Sequence, residues 1–208
     1  MPDLREQLEQ CFVGRVCLMG LGNTDYSDDG FGVRLAEALA EAGVPDVVVA
    51  GTTPDRFVGR VAGEGFDHLI FLDAVEFGGV PGSVVFLDAG GMAARFPQIS
   101  THKISLGLLA QWAEANGSTR AWLLGIQPQS LKVSNALTPT MWMTLEALVE
   151  LLRQSFAQSI ASGGDDPGGA RLRRASVTAA LGVGQGGSTE SRPTNSSCSA
   201  SSAEVAVC

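Results

Sequence analysis

Short, continuous apolar runs alternate along the chain with longer stretches in which apolar residues recur every three or four positions. Val16-Cys17-Leu18-Met19, Val47-Val48-Val49-Ala50, His68-Leu69-Ile70-Phe71-Leu72, Ser83-Val84-Val85-Phe86-Leu87 and Ala121-Trp122-Leu123-Leu124-Gly125-Ile126 are the runs. Each is too short for a buried helix and is bounded by turn-forming or polar residues, so each reads as a strand. The first is expected over about residues 14–20 and the third closes on Asp73. Between them the pattern predicts a helix from about Asp29 to Ala42, ended by Gly43 as a C-cap, and a second helix opened by Pro54. A third is expected from about His102 to Asn116, and a last from Thr138-Pro139 to about Ile160. Residues 1–12 read as a short helix or arm, and the stretch after strand four reads as loop through Pro97.

Strands without internal polar alternation, separated by helices, imply an α/β fold: a mostly parallel five-stranded sheet covered on both faces. The connection 75–82 is short and glycine-rich and cannot hold a crossover helix. Strand four is therefore expected to run antiparallel to strand three or to lie at an edge.

Past residue 160 the pattern stops. Gly, Ser, Thr and Ala dominate and bulky apolar residues nearly vanish, so 161–208 is expected to be a disordered tail behind a single domain, 1–160. Arg171-Leu172-Arg173-Arg174 within it reads as solvated charge. The net charge of −8 belongs wholly to the domain, which has 10 basic and 18 acidic residues; the tail carries four of each. Such acidity argues against nucleic acid as a partner. No run of eighteen apolar residues is present, so no membrane span is expected. The charged start lacks the apolar core of a secretory signal, and the four cysteines make neither a metal-ligand spacing nor a disulfide framework. A cytoplasmic protein is expected.

The stretch Gly20-Leu21-Gly22-Asn23-Thr24-Asp25-Tyr26-Ser27-Asp28-Asp29-Gly30-Phe31-Gly32 joins strand one to the first helix. A strand, a Gly-x-Gly turn and a helix start suggest a dinucleotide site, but the third glycine is misplaced and two adjacent aspartates would repel a phosphate. Helix capping by Ser27 or Asp28 accounts for one aspartate. It leaves Asp25 unexplained. In a doubly wound sheet, sites form beyond the carboxyl ends of strands where strand order reverses, here between strands one and three. Asp25, Asp28 and Asp29 follow the end of strand one, Asp73 ends strand three, and His102 starts a helix that follows strand four. His68, at the opposite end of strand three, is a bystander. Carboxylates with one imidazole suit a divalent transition metal such as nickel or zinc. A serine or cysteine nucleophile is disfavoured, because Cys17 is mid-strand and no serine has a nucleophile-elbow context.

Gly20-Leu21-Gly22-Asn23, Asp28-Asp29-Gly30-Phe31-Gly32, Phe71-Leu72-Asp73-Ala74, Ser100-Thr101-His102-Lys103 and Leu124-Gly125-Ile126-Gln127-Pro128 together resemble the nickel-iron hydrogenase maturation proteases. The likeness is greatest to the branch that processes the hydrogenase of formate hydrogenlyase, and it covers about residues 13–155. It implies a three-layer, phosphorylase/hydrolase-like α/β/α sandwich. It also implies a monomeric, aspartic-type endopeptidase that removes the C-terminal extension of a hydrogenase large-subunit precursor once nickel is in place. The family pattern acid-acid-x-x-Gly ends at Gly32 and so selects Asp29, to be joined by Asp73 and His102 as the residues that meet the nickel held by the substrate. The tail from Ala161 exceeds what the family carries. Two other readings stand beside it: a non-catalytic nickel-sensing chaperone of the large subunit, which would use the same ligands, and a Rossmann-like nucleotide binder.

Overall fold

The structure, a computed structural model, describes residues 3–96 and 105–162. Five strands form one sheet in the order β2-β1-β3-β5-β4: β1 (Val16–Leu21), β2 (Val47–Gly51), β3 (His68–Ala74), β4 (Val84–Asp88) and β5 (Arg120–Ile126). β1 pairs in parallel with β2 and β3, and β3 with β5. β4 is the antiparallel edge strand, as the short 75–82 connection implies, but its partner is β5, which lies between it and β3.

Alternating side chains split the strands between two apolar layers. Val16, Leu18, Ile70, Leu72, Leu124 and Ile126 face α1 (Leu4–Cys11), α2 (Phe31–Glu41) and α6 (Pro139–Ser162). Cys17, Met19, Leu21, Leu69, Phe71 and Leu123 face α3 (Asp55–Gly63), α4 (Ala89–Arg95) and α5 (Leu106–Asn116). The result is the expected three-layer α/β/α sandwich. All six β1 positions are buried, so β1 forms the centre of both cores.

Three expectations need correction. Residues 89–95, expected as loop, form α4. Its two glycines obscure the helix in the sequence, but the Asp88 carboxylate accepts from the Gly91 N–H at 2.7 Å, and Ala89 and Met92 are buried beneath it. The first helix starts at Phe31 rather than Asp29, because Ser27–Gly30 turns more tightly as a 3-10 segment with Ser27 at φ 48°. Neither Ser27 nor Asp28 caps it; no side chain does. Helix α5 begins at Leu106, capped by the Ser105 hydroxyl, and the expected start at His102 lies outside the described residues. The proposed tail lies outside them too, apart from Ala161 and Ser162, which continue α6.

Candidate functional site

Glycines set the geometry at the carboxyl end of β1. A Cβ on Gly32 would lie 1.9 Å from the Leu72 carbonyl oxygen and 2.6 Å from that of Leu21, so the first turn of α2 rests directly on the ends of β1 and β3. Gly22, at φ +116°, leaves room for the Asp29 carbonyl oxygen, 1.8 Å from where its Cβ would be. The 27–30 segment therefore folds back over the turn that precedes it. Only glycine permits both that backbone angle and that approach.

The three acidic residues of the segment then part company. Asp25 is exposed. Asp28 is fully buried and its carboxylate accepts four hydrogen bonds: from the Gln129 and Ser130 N–H groups at 3.0 and 2.8 Å, and from the Thr138 N–H and hydroxyl at 2.8 and 3.1 Å. It clamps the 129–138 loop to the glycine turn. Asp29 is 7% exposed, and one of its oxygens accepts from the Asn23 N–H at 2.8 Å, leaving the other outside that bond.

Asp73 is buried on β3, whose register with β1 brings Leu72 opposite Gly20. It has the same parity as Leu69 and Phe71, which places it toward the α3–α4–α5 layer. Asp29 and Asp73 thus stand at the carboxyl ends of adjacent parallel strands, at the expected reversal of strand order. His102 lies outside the described residues. The chain enters that stretch after Phe96 and leaves it at Ser105, the N-cap of α5. At the entry, the Arg95 guanidinium sits 5.8 Å over the Phe77 ring, in the loop that follows Asp73. Among the described residues no three His, Cys, Asp or Glu side chains form a metal-sized cluster.

Gln127, part of the Leu124–Pro128 stretch but without a role assigned from sequence, follows β5 directly and has a buried side chain. Its amide oxygen accepts from the Phe77 and Gly79 N–H groups at 2.9 and 3.1 Å, fixing the loop after Asp73. A glutamine between a continuous apolar strand and a proline was the available signal, since a buried amide needs partners. The bystander role of His68 fits its position: it is at the amino end of β3, and its Nδ1 accepts from the Trp122 indole N–H at 3.0 Å.

The geometry bears on the other chemistries. The Gly22 N–H donates to the Gly51 carbonyl and the Asn23 N–H to Asp29, so two amides that a phosphate would need are already occupied. Cys17 is buried mid-strand, and burial pushes its thiol up to about 12, which removes it as a nucleophile. No described helix is long and apolar enough to cross a membrane.

Comparison with known proteins agrees with this architecture. Residues 33–155 match the family model described as hydrogenase maturation protease, a span that opens four residues after Asp29 and includes Asp73 and His102. The chain is 32% identical to the hydrogenase 2 maturation protease of Escherichia coli over 158 residues, covering 70% of this chain and 95% of that one. Among solved structures, the [NiFe] hydrogenase maturation protease HycI of Thermococcus kodakarensis superposes with a TM-score of 0.65 at 31% identity, covering 73% of this chain and 99% of its own. The hydrogenase maturating endopeptidase HybD of E. coli does so with a TM-score of 0.56 at 30% identity, covering 72% and 94%. By the span of the family model and by these relatives, the chain is a peptidase and belongs to the hydrogenase maturation protease family.

Proposed function

We propose that this peptidase removes the C-terminal extension of a nickel-iron hydrogenase large-subunit precursor after nickel insertion, and that Asp29, Asp73 and His102 are the residues that meet the metal. The observation that carries this reading is that two buried aspartates lie past the carboxyl end of β1 and at that of its parallel neighbour β3, with Asp28, next to Asp29, already committed to a structural clamp. Buried carboxylates at a strand-order reversal are where a doubly wound sheet builds its sites. Residue His102 enters through its place in the chain, three residues ahead of the N-cap of α5. That helix packs in the layer toward which Asp73 is directed.

Nickel here is part of the substrate. The ligand set grips the metal already bound in the precursor, which brings the scissile peptide to the site and aligns its carbonyl or an attacking water with a Lewis acid. Specificity for matured substrate follows, because a precursor without the metal offers nothing to grip. The enzyme acts as a monomer in the cytoplasm, with neither membrane nor nucleic acid as a partner.

The test is a mass shift of the large-subunit precursor on incubation with the purified chain. The nickel-loaded precursor is cut and the nickel-free precursor is not. Equal cleavage of both would remove nickel from the mechanism. Retained binding to the loaded precursor without cleavage would favour a nickel-sensing chaperone.

A further inference from the structure

The loop that Asp28 clamps also walls a groove of about 550 Å3, lined by Arg34, Ala136, Leu137, Pro139, Trp142 and Met143. Arg34 stands on α2, five residues after Asp29, and is half-buried. One of its terminal nitrogens donates to the Asn135 carbonyl, while its Nε is buried without a hydrogen-bond partner among the described residues. None of the described ion pairs includes it. In a chain of net charge −8, a half-buried guanidinium without a described carboxylate partner is a costly arrangement. It is the arrangement expected of a site that receives an anion from outside.

The rest of the wall is apolar and partly exposed. Trp142 and Met143 are 52% and 65% exposed. The Trp142 indole N–H donates to Glu146 at 3.1 Å, which holds the ring in place. Exposed Leu131 and Val133 belong to the same loop, and exposed Tyr26 is joined to it by the bridge to Ser134. An exposed aromatic and an exposed methionine in one open groove beside a cation mark a protein-binding surface rather than a small-ligand cavity.

We propose that this groove is a docking subsite for the protein substrate, outside the scissile bond. A precursor segment bearing a carboxylate next to large apolar side chains seats the carboxylate on Arg34 and its apolar side chains on Trp142 and Met143. Charge complementarity selects that occupant. The four bonds that the Asp28 carboxylate accepts keep the groove in register with the turn that carries Asp29, so a segment held here is positioned relative to the reacting site. The proposal rests on the reading of the chain as a large-subunit peptidase.

The experiment measures steady-state cleavage of the nickel-loaded precursor by the full chain and by Arg34→Gln, Arg34→Lys, Trp142→Ala and Met143→Glu, with Val13→Ala as an exposed apolar control away from the groove. Cleavage by the unsubstituted chain tests the peptidase reading separately. Given that cleavage, Arg34→Gln and Trp142→Ala each raise KM about tenfold with kcat within about twofold, and Arg34→Lys recovers part of the loss. Raising the salt concentration weakens the unsubstituted chain more than Arg34→Gln, a difference that a purely structural role would not produce. Met143→Glu touches no loop hydrogen bond, and it raises KM even if Arg34→Gln loosens the loop. Unchanged KM in Trp142→Ala and Met143→Glu overturns the proposal. A fall in KM in the groove variants would also overturn it and would assign the groove to a competing segment of this chain, 163–208.

Discussion

Asp28 and Thr138 stand 110 positions apart and are joined by two hydrogen bonds, from the Thr138 N–H at 2.8 Å and from its hydroxyl at 3.1 Å. Through them the turn after β1 and the start of α6 form one unit, and Gln129 and Ser130 complete the hold on the carboxylate. Asp28→Ala leaves four donors of part-buried hydrogen bonds without their acceptor, and the expected loss is about 3 kcal/mol of unfolding free energy. Urea unfolding followed by circular dichroism measures it. A loss under about 1 kcal/mol would mean that the loop finds other partners or water.

The neighbouring aspartates call for a different expectation. Asp29 and Asp73 are both buried, so alanine would leave a hole and, at Asp29, an N–H of Asn23 without its acceptor. Asparagine keeps size and one oxygen while removing the charge. Asp29→Asn and Asp73→Asn should each lower precursor cleavage about a hundredfold or more, with thermal unfolding close to that of the unsubstituted chain. His102→Ala should show the same loss. Cleavage within about threefold of normal in either asparagine variant would take that residue out of the reacting site.

Gly32 gives a test of how the site is held. A methyl group there meets the carbonyl oxygens of Leu72 and Leu21, which are backbone atoms at the ends of two central strands. Gly32→Ala should cost about 1–3 kcal/mol, as overpacking does, and should displace the turn that carries Asp29 relative to Asp73. Cleavage should therefore fall by more than the unfolded fraction accounts for. The comparison needs rates at a temperature where the variant is fully folded, checked by circular dichroism.

Much of this arrangement was legible in the sequence because its causes are local or periodic. Five apolar runs identified the strands, and a connection too short for a helix identified the antiparallel edge. Two strand-end aspartates point to a candidate site because strand ends and strand-order reversals are readable from topology. What escaped depends on contacts between distant segments. Asp28 looks like a helix cap, since a cap and a long-range clamp use the same residue type; only the folded 129–138 loop tells them apart. Helix α4 hid behind Gly90 and Gly91, whose low propensity is overridden by the Asp88 cap and by burial of Met92. Arg34 carries no motif, and its lack of a described acidic partner becomes visible only in three dimensions.

The last prediction concerns the amino ends of the central strands, opposite the candidate site. Burial lowers the His68 pKa from 6.5, with Arg120 adding to the effect and Asp67 opposing it. The ring accepts the Trp122 indole N–H on Nδ1, which an imidazolium could not do, and Trp122 in turn stacks on Phe86 at 5.3 Å. Because the folded value is the lower one, the unfolded chain takes up a proton first as pH falls. Stability from this contact is therefore fully present above 6.5 and is lost as pH drops through the folded value. His68→Asn offers an oxygen near the same place and does not titrate. Melting temperatures taken from about pH 7.5 to about pH 5.5 should fall more steeply for the unsubstituted chain than for His68→Asn, with a matching change in Trp fluorescence. Parallel curves for the two proteins would show that other groups, and not the His68–Trp122 pair, set the acid sensitivity of the fold.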